Sequence, residues 1–314
     1  MWTVLPLTSK HKDDNYYFHY DLLNEKLGTV RIENLINISS NRIREPYYLN
    51  NKIATITKKD NDAIMVVLPS DHHIENEKLY IETLSQAVEI ANKKRGIVTL
   101  GITPSRAETG YGYIEMGQRA IAEIPTFKVE RFTEKPNLEV AKDFLLKGSY
   151  LWNSGMFIFR ADVILREIEK YLPKLYKSLM EIYKHLGEEN EDEVISEQYS
   201  LIDGISIDFG VMQKTRKAYV IKSDFIWDDI GSFSALSRYL EEDKNNKRSN
   251  NVYLQDSENC AVFGEKNLII GFGLKDLIVV DAGDVILIMN KNKEQEIKHL
   301  LNDISNERRY GEFM

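Results

Sequence analysis

Cysteine is nearly absent from this chain of 314 residues: Cys260 stands alone, so no internal disulfide can form, and a single thiol argues against a thiolate metal site. Long hydrophobic runs are missing too. None approaches the roughly 18–20 apolar residues that cross a bilayer, and the N-terminus carries no apolar signal core. Excess positive charge is also lacking, since 41 Lys plus Arg face 49 Asp plus Glu for a net charge of −8. That balance argues against a broad nucleic-acid footprint, yet a nucleotide held by a few local groups remains compatible with it. Glycine is absent until Gly28, which leaves the first stretch without the backbone freedom that phosphate loops use. These absences predict a soluble, cytoplasmic protein without membrane or nucleic-acid partners.

What is present is 43% hydrophobic residues over a length that buries one large core and a smaller one. Residues 1–40 are rich in Asn, Asp, Lys and Tyr and read as an atypical segment. From residue 62 the pattern is regular. Ala63 to Leu68 (AIMVVL) has the continuous apolar character of a strand covered on both faces. Leu79 to Lys94 follows at helical spacing, with Leu84, Ala87, Val88 and Ala91 on one face, and Ile97 to Ile102 reads as the next strand. Strand, helix, strand in about forty residues predicts a βαβ unit and an α/β domain with a mainly parallel sheet.

Phe127 to Phe132 is strand-like. Asn137 predicts the cap of a helix ended by Gly148, with Val140, Ala141, Phe144 and Leu145 facing inward. Met156 to Phe159 reads as a strand, and Ala161 to His185 as a helix interrupted near Pro173. Glu188 to Glu193 reads as an exposed loop, Ala218 to Lys222 as a strand, and Ser232 as the cap of a helix through Leu240. The polar stretch Glu241 to Asn251 predicts a linker between a domain at 41–245 and a small β region at 250–314. Short apolar runs there, punctuated by Gly, Asn and Asp, precede a closing helix at Lys293 to Ile304.

Several residue groups are suited to chemistry. Asp71 lies just past the strand ending at Leu68, where ligands bind in open α/β sheets; a turn cap would explain it equally. Asp228 and Asp229 stand between an aromatic and a helix start, and an ordinary helix start would explain them. A carboxylate at each of these two points, after Leu68 and after Trp227, suits Mg²⁺, which keeps waters and substrate phosphates. Lys135, fixed by Pro136 and paired with Glu134, offers a point charge to a phosphate, although exposed Glu-Lys pairs are common. The Asn153 amide suits sugar hydroxyls, and the glycines of Gly110-Tyr111-Gly112-Tyr113 allow a close backbone approach. The six histidines form no ligand-like grouping.

The order of these groups says more than each alone. VLPSDH, ETGYGYIE, RFTEKP, LWNSGMFIF, SIDFGVMQK and WDDIGS follow one another here, and the series resembles the signatures of bacterial mannose-1-phosphate guanylyltransferases from about Asn41 to Ile304. The resemblance implies a Rossmann-like nucleotidyltransferase domain with a short, left-handed β-helix-like C-terminal region. It implies GTP and mannose 1-phosphate as substrates, with GDP-mannose and pyrophosphate as products. It does not set the oligomeric state, for which a homodimer through the C-terminal β region is one candidate. Asp71 and Asp229 would hold Mg²⁺, and Lys135 would meet the sugar phosphate. Gly112, Glu134 and Asn153 would hold the hexose, while Asp208 would line the same cleft.

The resemblance fails at one place. The family's GGxGTRLWP loop and PKQ segment, whose amides and cations cradle the triphosphate, have no counterpart in residues 1–40. Arg44 to Asn51 partly matches the EPxGRNTAP segment that helps hold the base: Glu45, Pro46 and Asn50 fit, while its Gly and Arg do not and Ile53 replaces the second Pro. Three readings follow: a truncated or frame-disrupted copy of an active enzyme, a non-catalytic paralogue that binds sugar phosphate or partners an active subunit, or an enzyme active through a rearranged N-terminus. An uncovered sheet edge where the first strand belongs is expected as well, with Val30 to Ile38 a candidate to cover it.

Overall fold

A computed structural model describes residues 2–7, 48–69, 72–202, 204–243, 245–264, 267–283, 285–305 and 307. The chain divides into two compact units, Met1–Trp227 and Asp228–Met314. No helix among the described residues is long and apolar enough to cross a membrane.

The first unit runs β1 (Trp2–Leu7), α1 (Tyr48–Lys59), β2 (Ile64–Pro69), β3 (His73–Ile74), α2 (Glu77–Lys94), β4 (Ile97–Ile102), β5 (Tyr113–Ile121) and β6 (Thr126–Thr133). It continues through α3 (Leu138–Lys147), β7 (Tyr150–Arg160), α4 (Ala161–Tyr171), α5 (Pro173–His185), α6 (Glu191–Ser200), a π-helical turn at Asp208–Met212, and β8 (Ala218–Ser223). A two-residue strand, β9 (Trp227–Asp228), stands at the boundary with the second unit. Seven strands form one sheet in the order β1-β2-β7-β4-β8-β6-β5.

The α/β class is as expected, and the sheet is mixed. β2 and β4 run the same way, as a βαβ unit requires, but β7 lies between them antiparallel to both. Among the described neighbours in this sheet only β4 and β8 pair in parallel. The cause lies in β7, whose eleven residues LWNSGMFIF and flanks are nearly all buried and long enough to insert along both neighbours. The free edge expected beside β2 is taken by β1, in antiparallel register from Trp2↔Pro69 to Leu7↔Ile64. Val30 to Ile38 lies outside the described residues.

Alternation along the strands builds a core on each face of the sheet. Met65, Val67, Ile97, Phe157 and Phe159 point toward α1, α4 and α5, packing on Ile53, Ile164, Ile168 and Leu179. Val66, Leu68, Val98, Leu100 and Ile158 point the other way, onto Leu84, Ala87 and Ala91 of α2 and Phe144 of α3. In α3 the cap is as read, with Asn137 accepting from Val140 N at 3.0 Å and Gly148 ending the helix at φ 66°. Its inner face is narrower than expected: Ala141 and Phe144 are buried and Val140 is exposed.

The acidic run Glu188 to Glu193 is not wholly a loop. Glu191, Asp192 and Glu193 form the first turn of α6, where carboxylates offset the positive end of the helix dipole.

The second unit contains β10 (Glu241–Asp243), β11 (Asn246–Arg248), β12 (Val252–Gln255), β13 (Ala261–Phe263), β14 (Ile269–Phe272), β15 (Leu277–Asp281) and β16 (Ile286–Asn290), then a closing helix, Ile297–Ser305. β11, β13 and β15 stack in parallel, as do β12 and β14. The partners Val252↔Ile269 and Ala261↔Ile278 are each seventeen residues apart, the signature of a chain coiling on itself like a β-helix. Cys260 fills its core with Val252, Val262 and Val279. The polar stretch read as a linker is a hairpin: Glu241↔Arg248 closes it, Lys247 pairs with Glu242 at 2.7 Å, and Arg248 with Asp243 at 3.2 Å. Opposite charges face each other across the two strands, so a sequence without apolar residues still forms a ladder.

Candidate active site

Five of the residues singled out by motif meet at one end of the first unit's sheet. β7 supplies Asn153, whose backbone N–H donates to the Gly112 carbonyl at 2.8 Å just before β5 begins. A Cβ on Gly112 would lie 2.5 Å from Glu134 Oε2 and 3.3 Å from the Asn153 Cβ. The close approach that the glycine permits is therefore to these two side chains, and any larger residue would displace them.

Glu134 and Lys135 leave β6 in a turn. Lys135 adopts φ 45°, an uncommon left-handed conformation for a lysine, and its Nζ stands 3.7 Å from Glu134 Oε1. The Lys135 side chain is 64% exposed, whereas that of Glu134 is 11% exposed. Glu134 Oε2 is buried and has no hydrogen-bond partner. Burial chiefly, and then the nearby Asp208 carboxylate, push the Glu134 pKa up to about 7, against the opposing pull of Lys135.

Asp208 opens the π-helical turn, a kind of irregularity that often marks functional sites. It is 8% exposed, and burial raises its pKa although hydrogen bonds from the backbone, Ser206 and Asn153 oppose the shift. Asn153 Nδ2 donates to Asp208 Oδ1 at 3.3 Å. Asn153 Oδ1 accepts from Thr99 Oγ1 at 3.1 Å and from Gly155 N at 3.2 Å. A cation, two coupled carboxylates and an oriented amide thus share one cluster, a set able to bind a phosphate next to hydroxyl groups.

The other predicted residues fall elsewhere. Asp71 and Glu45 lie outside the described residues, and Asn50 falls in α1. His72 Nδ1 accepts from Trp227 Nε1 at 3.0 Å, which ties His72 to the end of the first unit. Asp229 is the second residue of the second unit, and its Oδ1 accepts from Gly231 N at 3.1 Å. The preceding Asp228 is engaged by Arg238 and by Ile230 N, with Ile230 at φ 46°.

Two residues near the cluster carried no motif signal. Thr99 is fully buried in β4 and gives its hydroxyl to Asn153. The guanidinium of Arg106 lies over the Trp152 ring at 5.0 Å and over Tyr111 at 5.8 Å. Alternation in β4 could have pointed to Thr99, a lone polar residue in an apolar strand; nothing local distinguishes Arg106.

Residues 17–246 match the family described as Nucleotidyl transferase, and residues 249–304 match a MannoseP isomerase/GMP-like beta-helix domain. The chain is 34% identical over 290 residues to a mannose-1-phosphate guanylyltransferase of Salmonella montevideo, an alignment covering 89% of this chain and 61% of that protein. It is 30% identical over 313 residues to the alginate biosynthesis protein AlgA of Pseudomonas fluorescens, covering 97% and 62% respectively. The chain therefore spans about three fifths of the length of these curated relatives. Among solved structures, one described as mannose-1-phosphate geranyltransferase from Thermus thermophilus superposes with a TM-score of 0.69 at 30% identity, covering 81% of this chain and 72% of that one. With the match running from before β2 to beyond β8 and through all five clustered residues, the chain belongs to the nucleotidyl transferase family.

Proposed function

We propose that this chain transfers GMP from GTP to mannose 1-phosphate, giving GDP-mannose and pyrophosphate in the cytoplasm. The observation that supports this most is the Gly112–Glu134–Lys135–Asn153–Asp208 cluster, with its buried, unpartnered carboxylate oxygen beside a lysine. In the reaction a phosphate oxygen of the sugar phosphate forms a bond to the α-phosphorus of GTP. The bond from that phosphorus to the bridging oxygen breaks, and pyrophosphate leaves with the electron pair.

Lys135 neutralises the sugar phosphate and holds it in line for attack. Glu134 accepts a hydrogen bond from a hexose hydroxyl, which partners Oε2. Asn153 binds a further sugar oxygen, and Gly112 keeps the three side chains close. Glu45 and Asn50 are assigned to the base by the resemblance. By the resemblance Asp71 and Asp229 would hold Mg²⁺, a hard cation that takes one or two protein carboxylates. When bound there, such an ion would supply charge neutralisation at the transferring phosphoryl group. We take the transferase part as 41–245 and the β region, a candidate surface for a homodimer, as 250–314.

A second reading is kept because residues 1–40 carry no GGxGTRLWP loop: sugar-phosphate binding without transfer, alone or beside an active subunit. Turnover separates the two. Purified protein given GTP, Mg²⁺ and mannose 1-phosphate is expected to release pyrophosphate and GDP-mannose in equal amounts, with neither formed when the sugar phosphate or the ion is left out. Absence of both products alongside intact binding of mannose 1-phosphate would leave the second reading.

A further inference from the structure

Asp208 has no role yet, and the hydrogen-bond inventory around Asn153 gives it one. A side-chain amide has two acceptor lone pairs on oxygen and two N–H donors. Gly155 N–H can donate only to the oxygen, so the 3.2 Å contact fixes which end of the amide is which. The Thr99 hydroxyl at 3.1 Å uses the second lone pair. Asp208 takes one N–H at 3.3 Å, and a single donor remains among the described residues. Glu134 Oε2 packs on the same glycine, since a Cβ on Gly112 would lie 2.5 Å from it and 3.3 Å from the Asn153 Cβ, and it is a buried acceptor with no donor.

One donor on Asn153 and one acceptor on Glu134, on two side chains packed around Gly112, complement groups that both donate and accept, which is what adjacent hydroxyls of a hexose offer. Without Asp208, the Nδ2 end of the amide would lack the carboxylate that directs it. We propose that Asp208 is a positioning residue of the sugar subsite: it locks the Asn153 amide so that its remaining N–H acts together with Glu134 Oε2 on the hydroxyl-bearing edge of the bound sugar. This rests on the reading of the cluster as a sugar-phosphate site.

Asp208 acts on Glu134 a second way, through charge. The charged groups facing Glu134 are Asp208 from the π-helical turn and Lys135 from its own turn; Asp208 in turn faces Lys135. An ionised Glu134 is the better acceptor, so sugar affinity is expected to rise with pH through the region near 7. Removing the Asp208 charge moves that rise to lower pH.

Two variants separate the two actions. Asp208→Asn removes the charge but keeps an oxygen that can accept from Asn153, whereas Asp208→Ala removes both. In calorimetric titrations with mannose 1-phosphate at pH 8, Asp208→Ala is expected to bind about tenfold more weakly, the loss of roughly one hydrogen bond's worth of orientation, and Asp208→Asn within about twofold of wild type. Both variants shift the pH profile toward acid. Wild-type affinity in Asp208→Ala, or equal losses in both variants, would overturn the positioning role. A readout without ligand accompanies this: the Asn153 side-chain amide proton, followed by NMR, should keep its hydrogen-bonded shift in Asp208→Asn and lose it in Asp208→Ala. If wild-type protein does not bind mannose 1-phosphate, the sugar-site reading falls, and the amide resonance by itself decides whether Asp208 orients Asn153.

Discussion

Lys135→Met should lower the rate of GDP-mannose formation by about a hundred- to a thousandfold, the scale seen when one charge-stabilising donor is removed from a transition state. Lys135 is the cation of the cluster, held in a left-handed backbone conformation and steered by Glu134 at 3.7 Å. Backbone strain of this kind persists only where its surroundings fix it, and here Pro136 restricts the chain immediately after. Because the side chain is 64% exposed, methionine is not expected to disturb the fold. The melting temperature should therefore stay within about 2 °C of wild type while turnover collapses, a shift expected of a surface substitution worth under half a kcal/mol. Lys135→Arg should recover little, since a planar fork does not replace a compact ammonium point charge. Turnover of Lys135→Met within threefold of wild type would remove Lys135 from the proposed chemistry.

The largest stability effect is expected far from that cluster, at Asp162. Its carboxylate accepts from Arg160 Nε at 2.9 Å, from Arg95 Nη2 at 2.5 Å, and from Arg166. Arg160 in turn binds Asp62 and, at 3.3 Å, Asn92 Oδ1. One network thus joins the loop before β2, the end of α2, the end of β7 and the start of α4, with Arg160 and Asp162 each 7% exposed. Asp162→Ala strips the buried Arg160 of its buried carboxylate partner and leaves it only the exposed Asp62, which costs about 3–5 kcal/mol. For a protein of this size that lowers the melting temperature by roughly 10 °C.

The pH dependence has a definite sign. Burial alone would raise the Asp162 pKa, but the hydrogen bond and charge of Arg160, joined by Arg166 and Arg95, outweigh it and hold the pKa below 3.8. A carboxyl depressed in the folded state contributes stability above its unfolded pKa and loses it as pH falls through the folded value. The gap between wild type and Asp162→Asn should thus be full at pH 7 and narrow only in strong acid. A loss below 1 kcal/mol at neutral pH would mean that the network is not what fastens α4 to the sheet.

Elements whose information is local were legible in the sequence. Ile97–Ile102 is the strand that its apolar run predicted, Asn137 and Gly148 bound α3 as cap chemistry requires, and Pro173 opens α5 as read. What the sequence concealed depends on partners far along the chain. The start of β7 reads as a turn because Asn153-Ser154-Gly155 interrupts it; flanking strands and a register shift at Thr99/Gly101 accommodate those residues within the sheet. The Glu241–Arg248 hairpin has no apolar pattern and forms through cross-strand charge pairs and Asn246, buried and bonded to Cys260 N and Ser257 O.

The cluster divides the same way. Motif order named Gly112, Glu134, Lys135, Asn153 and Asp208, since each sits in a compact segment. The supporting contacts, Thr99 to Asn153 and Asn153 to Asp208, span more than fifty residues each and leave no local trace. Of the remaining motif residues, Asp229 stands in the second unit, and Asp71 and Glu45 lie outside the described residues.

The most direct test of this account is a calorimetric titration of the purified protein with mannose 1-phosphate, repeated with mannose and with GTP plus Mg²⁺. Saturable binding of mannose 1-phosphate, much weakened in Lys135→Met and not reproduced by mannose, is the predicted result, with GTP binding separately in the presence of the ion. Equal binding of mannose and mannose 1-phosphate, or no binding of either, would contradict the assignment of the cluster as a sugar-phosphate site.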